Sequence, residues 1–241
     1  MAATDTSAEV KKKLPRTAIV VAATAAMLGI IYGYDNGVIG GAQLFFQGEL
    51  GLTTQQTELV VTAIVYGEVV GAIIAGVVTN KIGRKKSMIL LTVGYAVFGI
   101  LSALSVDMWT LFAARFFLGV AVGISLIAVP VFVAESVPAR VRGATLVLYQ
   151  VMGVCGIILG LAFTLALSDS GWTESWRLML GLASIPALIL LPVIMKLPET
   201  ARWYVMKGRG EEARASLNLT DPDADHEAEI AEMEEIQRKE S

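Results

Sequence analysis

Six stretches of this chain, at about 17–46, 57–80, 87–106, 108–134, 143–168 and 177–197, are long runs of mostly apolar residues. A transmembrane helix needs roughly 20 such residues, so each stretch qualifies as a span. Three of them are free of charge through their cores (87–106, 143–168 and 178–195). A soluble all-helical protein would need polar helix faces to meet water, and these stretches have none. The composition agrees, with 55% hydrophobic residues and a mean hydropathy of +0.64, both above the range of soluble domains. The expected fold is an all-α integral membrane protein with a six-helix bundle at 17–197. It is flanked by an N-terminal segment at 1–16 and an acidic helical segment at 198–241. The first stretch is too long for a cleavable signal peptide, and no small-residue cleavage site ends a short core, so it is expected to stay as a helix.

The cations fix an orientation. Of the 19 Lys and Arg residues, 17 fall on the side where the chain starts; Arg115 lies within a span and Arg177 on the far side. By the positive-inside rule both termini are expected in the cytoplasm, as in a multi-pass plasma-membrane protein. The net charge of −3 hides an asymmetry: residues 211–241 carry 11 acids and 3 bases. Helical spacing at Ile230, Met233 and Ile236 predicts a short amphipathic helix in this tail. The sequon at Asn218-Leu219-Thr220 falls on the cytoplasmic side and reads as a chance match. No basic stripe or aromatic platform points to nucleic acid. The single cysteine, Cys155, excludes an intrachain disulfide and reads as a packing residue. The one histidine, His226, sits in the tail, and no nucleophile–base set or metal-ligand cluster is present. Neither an enzyme, a cofactor nor a metal site is expected.

Three charges interrupt the apolar spans: Asp35, Glu68 and Arg115. Asp35 lies about 18 residues into an outward-running helix, ~27 Å from the cytoplasmic end at ~1.5 Å per residue. Arg115 is six residues into an inward-running helix, ~9 Å below the outer surface by the same rise. Opposite charges at similar depth predict a pair facing the bundle interior, because each alone is costly in hydrocarbon. Such a pair can simply pin two helices. It also suits proton coupling, since arginine keeps its proton and the aspartate alone can carry one. Glu68, near mid-depth, has no partner evident in the sequence; a second protonatable site and a group facing a polar cavity are both open.

The motifs then bring a resemblance. GVVTNKIGRKKSM at 76–88 is similar to the glycine-and-base loop between helices 2 and 3 of the major facilitator superfamily. RFFLGVAVGISLIAVPVFVAESVPARVRG at 115–143 resembles the helix 4 signature of its sugar porter family, with Gly119, Gly123, Phe132, Glu135 and Arg142 at the family's spacing. PETARW at 198–203 resembles that family's motif after helix 6, and GYDNGVIGGA at 33–42 its helix 1 motif. Four motifs stand in the family's order, and together the resemblance covers nearly the whole chain.

The resemblance implies roles for particular residues. Asp35 and Arg115 correspond to the proton-coupling pair. Gln150 stands where the family places a sugar-contacting glutamine, and an amide offers both donors and an acceptor to hydroxyls; an interhelical hydrogen bond is the alternative. Ile157 stands where some proton-coupled members have a second glutamine, a departure shared with facilitative members. Tyr32 aligns with an aromatic that packs on bound sugar, or serves simple packing. Arg84, Glu135, Arg142, Glu199 and Arg202 match a cytoplasmic salt-bridge network that closes the outward-facing state.

Sugar porters have twelve helices in two halves, so the chain resembles an N-terminal half, built as a 3+3 inverted repeat, plus the start of the cytoplasmic linker. The implied function is sugar transport (of a hexose, pentose or polyol) by proton symport. Facilitative uniport and a non-transporting sugar sensor are the alternatives, and the wider superfamily's drug antiporters fit the motifs less well. The expected partners are the sugar, the proton, the bilayer, and a C-terminal six-helix half or a second copy.

Overall fold

A computed structural model describes residues 14–168, 171–222 and 224–240, apart from the side chain of Glu240; the N-terminal lysines at 11–13 lie outside these. The described residues form ten helices: α1 (Arg16–Glu49), α2 (Thr54–Ile82), α3 (Arg84–Ala103), α4 (Met108–Ser136), α5 (Ala139–Ser168), α6 (Ser175–Gly181), α7 (Ser184–Lys196), α8 (Ala201–Met206), α9 (Gly210–Thr220) and α10 (His226–Glu240). Helices α1 to α5 and the broken span Ser175–Lys196 are six helices long and apolar enough to cross a membrane. α5 starts four residues earlier than 143 and carries Arg140 and Arg142 in its first turn.

Local sequence sets several of these ends. Thr53 and Gln56 form a reciprocal capping box at the start of α2, with Thr53 N–H donating to Gln56 Oε1 at 2.9 Å. Asp107 Oδ1 accepts from the N–H groups of Trp109 and Thr110 at 2.8 and 3.0 Å, opening α4. Both caps satisfy donors that the first helical turn leaves free.

Packing follows small residues. α1 runs against α5 through Gly33, where a Cβ would run into the carbonyl of Gly153. α2 runs against α4 through Gly67, where a Cβ would run into the carbonyl of Phe116. Without a hydrophobic drive between helices in lipid, such close backbone approach supplies the van der Waals association. Exchanging helices 1-2-3 with 4-5-6 maps the α1–α5 pair onto α4–α2, the contact pattern of an inverted repeat. α4 is the central helix, with buried side chains along its length. α5 buries only Thr145, Tyr149, Gly153, Gly156 and Gly160, the three glycines against α1. At the end of the bundle that holds the α1–α2 and α3–α4 turns, Glu49 accepts from Trp176 Nε1 at 2.6 Å and Arg177 Nη2 at 2.8 Å. Arg177 Nη1 also donates to the carbonyls of Ala103 and Ser105, tying α1, α3 and α6 together.

Candidate substrate and proton site

The glycine crossings fix what meets in the bundle centre. Helices α2 and α4 run parallel in register, with Gly67 beside Phe116 and Gly71 beside Val120. Arg115, one residue before that crossing, points inward and is 0% exposed. Asp35, between the α1 glycines at 33 and 37 that face α5, is 2% exposed. Arg115 Nη1 donates to Asp35 Oδ1 at 2.7 Å, so the two charges placed at matching depth by the sequence form a buried pair. The pair is incompletely satisfied: Asp35 Oδ2 and Arg115 Nε and Nη2 make no hydrogen bond among the described residues. In a low-dielectric interior this leaves strong donors and an acceptor available to another group.

Glu68 is half-buried on the flank of α2. It lies within electrostatic reach of both Asp35 and Arg115. Sequence spacing gave it no partner, because what it faces is set by the α2–α4 register, which puts its carbonyl against Gly123. Below the pair, Tyr95 Oη and Ser125 Oγ share a 2.9 Å hydrogen bond between α3 and α4, both buried. Tyr149 of α5 is buried nearby, 3% exposed. These hydroxyls were not singled out by the sequence, where Tyr and Ser in apolar spans carry no distinguishing pattern.

Gln150 and Ile157 are both exposed, seven residues apart on one flank of α5. Tyr32 is half-buried and its ring lies against Gly153 of α5. Asn36, one turn beyond Tyr32, is exposed and donates to the Tyr32 carbonyl at 3.0 Å. By the α1–α5 register, Gln150 lies roughly 10 Å from Asp35 toward the α2–α3 turn, at ~1.5 Å per residue. The structure therefore separates the amide from the charge pair along the bundle axis.

At the end of the bundle that holds the α2–α3 and α4–α5 turns, Arg84 is 5% exposed and donates from Nε and Nη2 to both oxygens of Glu135, at 3.0 and 3.1 Å. Thr200 Oγ1 also donates to Glu135, at 2.7 Å. Glu199 meets backbone: its Oε1 accepts from the N–H groups of Arg84 and Lys85, both at 2.9 Å, and of Thr200 at 3.0 Å. It thus caps α3, whose N-cap residue Gly83 has no side chain to do so. Arg142 and Arg202 line a cleft with Glu135, Glu229 and Glu232 between the ends of α4 and α5 and the tail. Arg84, Glu135 and Glu199 of the expected network thus meet directly through side chain or helix end, and Arg142 and Arg202 line the adjoining cleft.

The model of the family described as sugar (and other) transporter matches residues 21–241. The chain belongs to that family. It is 38% identical over 218 residues to a probable metabolite transport protein, CsbC, of Bacillus subtilis, covering 90% of this chain and 47% of the relative. It is 35% identical over 219 residues to a galactose-proton symporter of Escherichia coli, with coverage of 90% and 47%. It is 39% identical over 193 residues to a D-xylose transporter of Levilactobacillus brevis, with coverage of 80% and 42%. The chain thus spans about half the length of these relatives. In fold it is similar to the proton:xylose symporter XylE bound to 6-bromo-6-deoxy-D-glucose, with a TM-score of 0.85 at 22% identity, over 92% of this chain and 53% of that one. It is also similar to an inward-open XylE of Escherichia coli, with a TM-score of 0.81 at 22% identity, over 90% and 55%. This is the N-terminal half of a major facilitator fold, a multi-pass membrane architecture from a family of transporters.

Proposed function

We propose that this chain supplies the N-terminal half of a proton-coupled sugar transporter of the plasma membrane, with both termini cytoplasmic. The observation that carries this is the buried 2.7 Å pair of Asp35 and Arg115, in a chain whose relatives include symporters of galactose and arabinose. Asp35 is the proton carrier and Arg115 the fixed cation that biases it. Protonation of Asp35 removes the attraction holding α1 to α4, so that proton binding and helix movement become one event. Gln150 and Tyr32 contact the sugar, the amide through hydroxyls and the ring through an apolar C–H face, with Ile157 beside them. Arg84, Glu135, Arg142, Glu199 and Arg202 hold the cytoplasmic ends together while the site is open outward. A C-terminal six-helix half or a second copy provides the facing wall, as alternating access requires two bundles around a midplane site.

The test is uptake of labelled hexoses and pentoses into vesicles under an imposed pH gradient, with the chain joined to its facing half. Asp35→Asn abolishes accumulation against a gradient and retains exchange; accumulation that survives this change overturns the coupling assignment. Facilitative uniport is the second reading, favoured by the apolar Ile157 in place of an amide.

A further inference from the structure

Two acids stand beside one base in the centre of this bundle. Arg115 is 0% exposed and uses Nη1 on Asp35, while its Nε and Nη2 make no hydrogen bond among the described residues. Glu68 is half-buried on α2, immediately after Gly67 at the Gly67–Phe116 crossing that sets the depth of Arg115, with its own carbonyl against Gly123 of α4. The charged and titratable groups within its electrostatic reach are Tyr32 and Asp35 on α1, Tyr95 on α3 and Arg115 on α4. With both acids ionised the trio carries a net charge of −1; one bound proton makes it neutral.

We propose that Glu68 is the second anion of this site, the group to which the Arg115 guanidinium turns when Asp35 takes up a proton. The proton goes to an Asp35 carboxylate oxygen, and the hydrogen bond from Arg115 Nη1 to Oδ1 is exchanged for one from the idle Nε or Nη2 to a Glu68 carboxylate oxygen. Arg115 stays protonated throughout. Without Glu68, protonating Asp35 would leave a fully buried guanidinium with no anion, which is strongly unfavourable. With it, the cation moves from an α1–α4 tie to an α2–α4 tie. Glu68 thus makes the protonated state accessible and gives α1 freedom to shift against α4. This rests on Asp35 being the proton carrier, and the test below requires no transport, so the two can fail separately.

The experiment is a double-mutant cycle on the 241-residue chain in detergent, read by thermal melting. Asp35→Asn alone and Glu68→Gln alone each lower the melting temperature by under about 3 °C, because one anion remains. The combined variant falls by about 8 °C or more, as expected for a buried charge without a counterion. Simple additivity of the two changes overturns the proposal. Should the combined variant yield no folded protein, adding Arg115→Met restores it. Isotope-edited infrared spectroscopy gives an independent readout: with glutamates labelled, Asp35→Asn shifts the Glu68 carboxylate band as the guanidinium docks on it. An unmoved band overturns the proposal.

Discussion

Glu199 closes the start of a helix 115 residues away in sequence: its Oε1 accepts the backbone N–H of Arg84 at 2.9 Å. The same oxygen accepts from Lys85, so one carboxylate satisfies two of the free donors of α3 and sits at the positive end of its dipole. Hydrogen bonds to a charged acceptor are worth about 1.5–3 kcal/mol. Glu199→Ala is therefore expected to lower stability by about 2–3 kcal/mol and Glu199→Gln by about 1 kcal/mol, measured by thermal unfolding in detergent. Equal effects from both changes would show that the charge contributes nothing.

Gly83 makes the same junction intolerant of a side chain. Its φ is 103°, and a Cβ there would run into Glu199 Oε2. Gly83→Ala combines backbone strain with displacement of the cap, and is expected to cost about 2–4 kcal/mol. Gly40, inside α1 with nothing within 4 Å of a Cβ, is the control, and Gly40→Ala should not lower the melting temperature.

The six spans were legible in the sequence because hydrocarbon demands long uninterrupted apolar helices, and no other signal competes with that. The pairing of Asp35 with Arg115 was legible from depth alone, since two lone opposite charges in lipid have few other solutions. Glu68 was not, because its neighbours are set by glycines that let α2 and α4 touch, and a register is invisible without the partner helix. Glu199 entered only through the resemblance of PETARW to a family motif, as a salt-bridge residue and not as a helix cap, because its ligands are backbone N–H groups that carry no sequence signature. Arg177 showed only as a lone outer cation, though its role depends on carbonyls at the end of α3.

Arg177 holds the end of the bundle where α1 and α3 finish and α6 begins. It donates to Ala103 and Ser105 carbonyls, pairs with Glu49 at 2.8 Å, and lies 4.4 Å from the centre of the Trp176 ring. Lysine cannot reproduce this forked geometry. Arg177→Lys and Arg177→Ala are both expected to lose about 1–3 kcal/mol, with faster hydrogen exchange confined to the ends of α1, α3 and α6. Full retention of stability by Arg177→Lys would reduce the residue to a point charge.

Glu229, in the tail, supplies a pH dependence. Burial pushes its carboxyl above the ordinary range and Asp221 adds to this, while His226 and Arg142 pull it part of the way back. A raised carboxyl means that the docked tail binds the proton more tightly than the undocked one. Docking of α10 is therefore strongest at and below the ordinary carboxylate range, weakens as pH rises through the raised value, and is constant above it. Hydrogen exchange of the α10 amides, followed from about pH 4 to 7, should show protection falling along this window. Glu229→Gln removes the ionisation but keeps the shape, so its protection should match the low-pH wild type and lose most of the slope. A slope that persists undiminished in Glu229→Gln would assign the pH response to other acids of the tail.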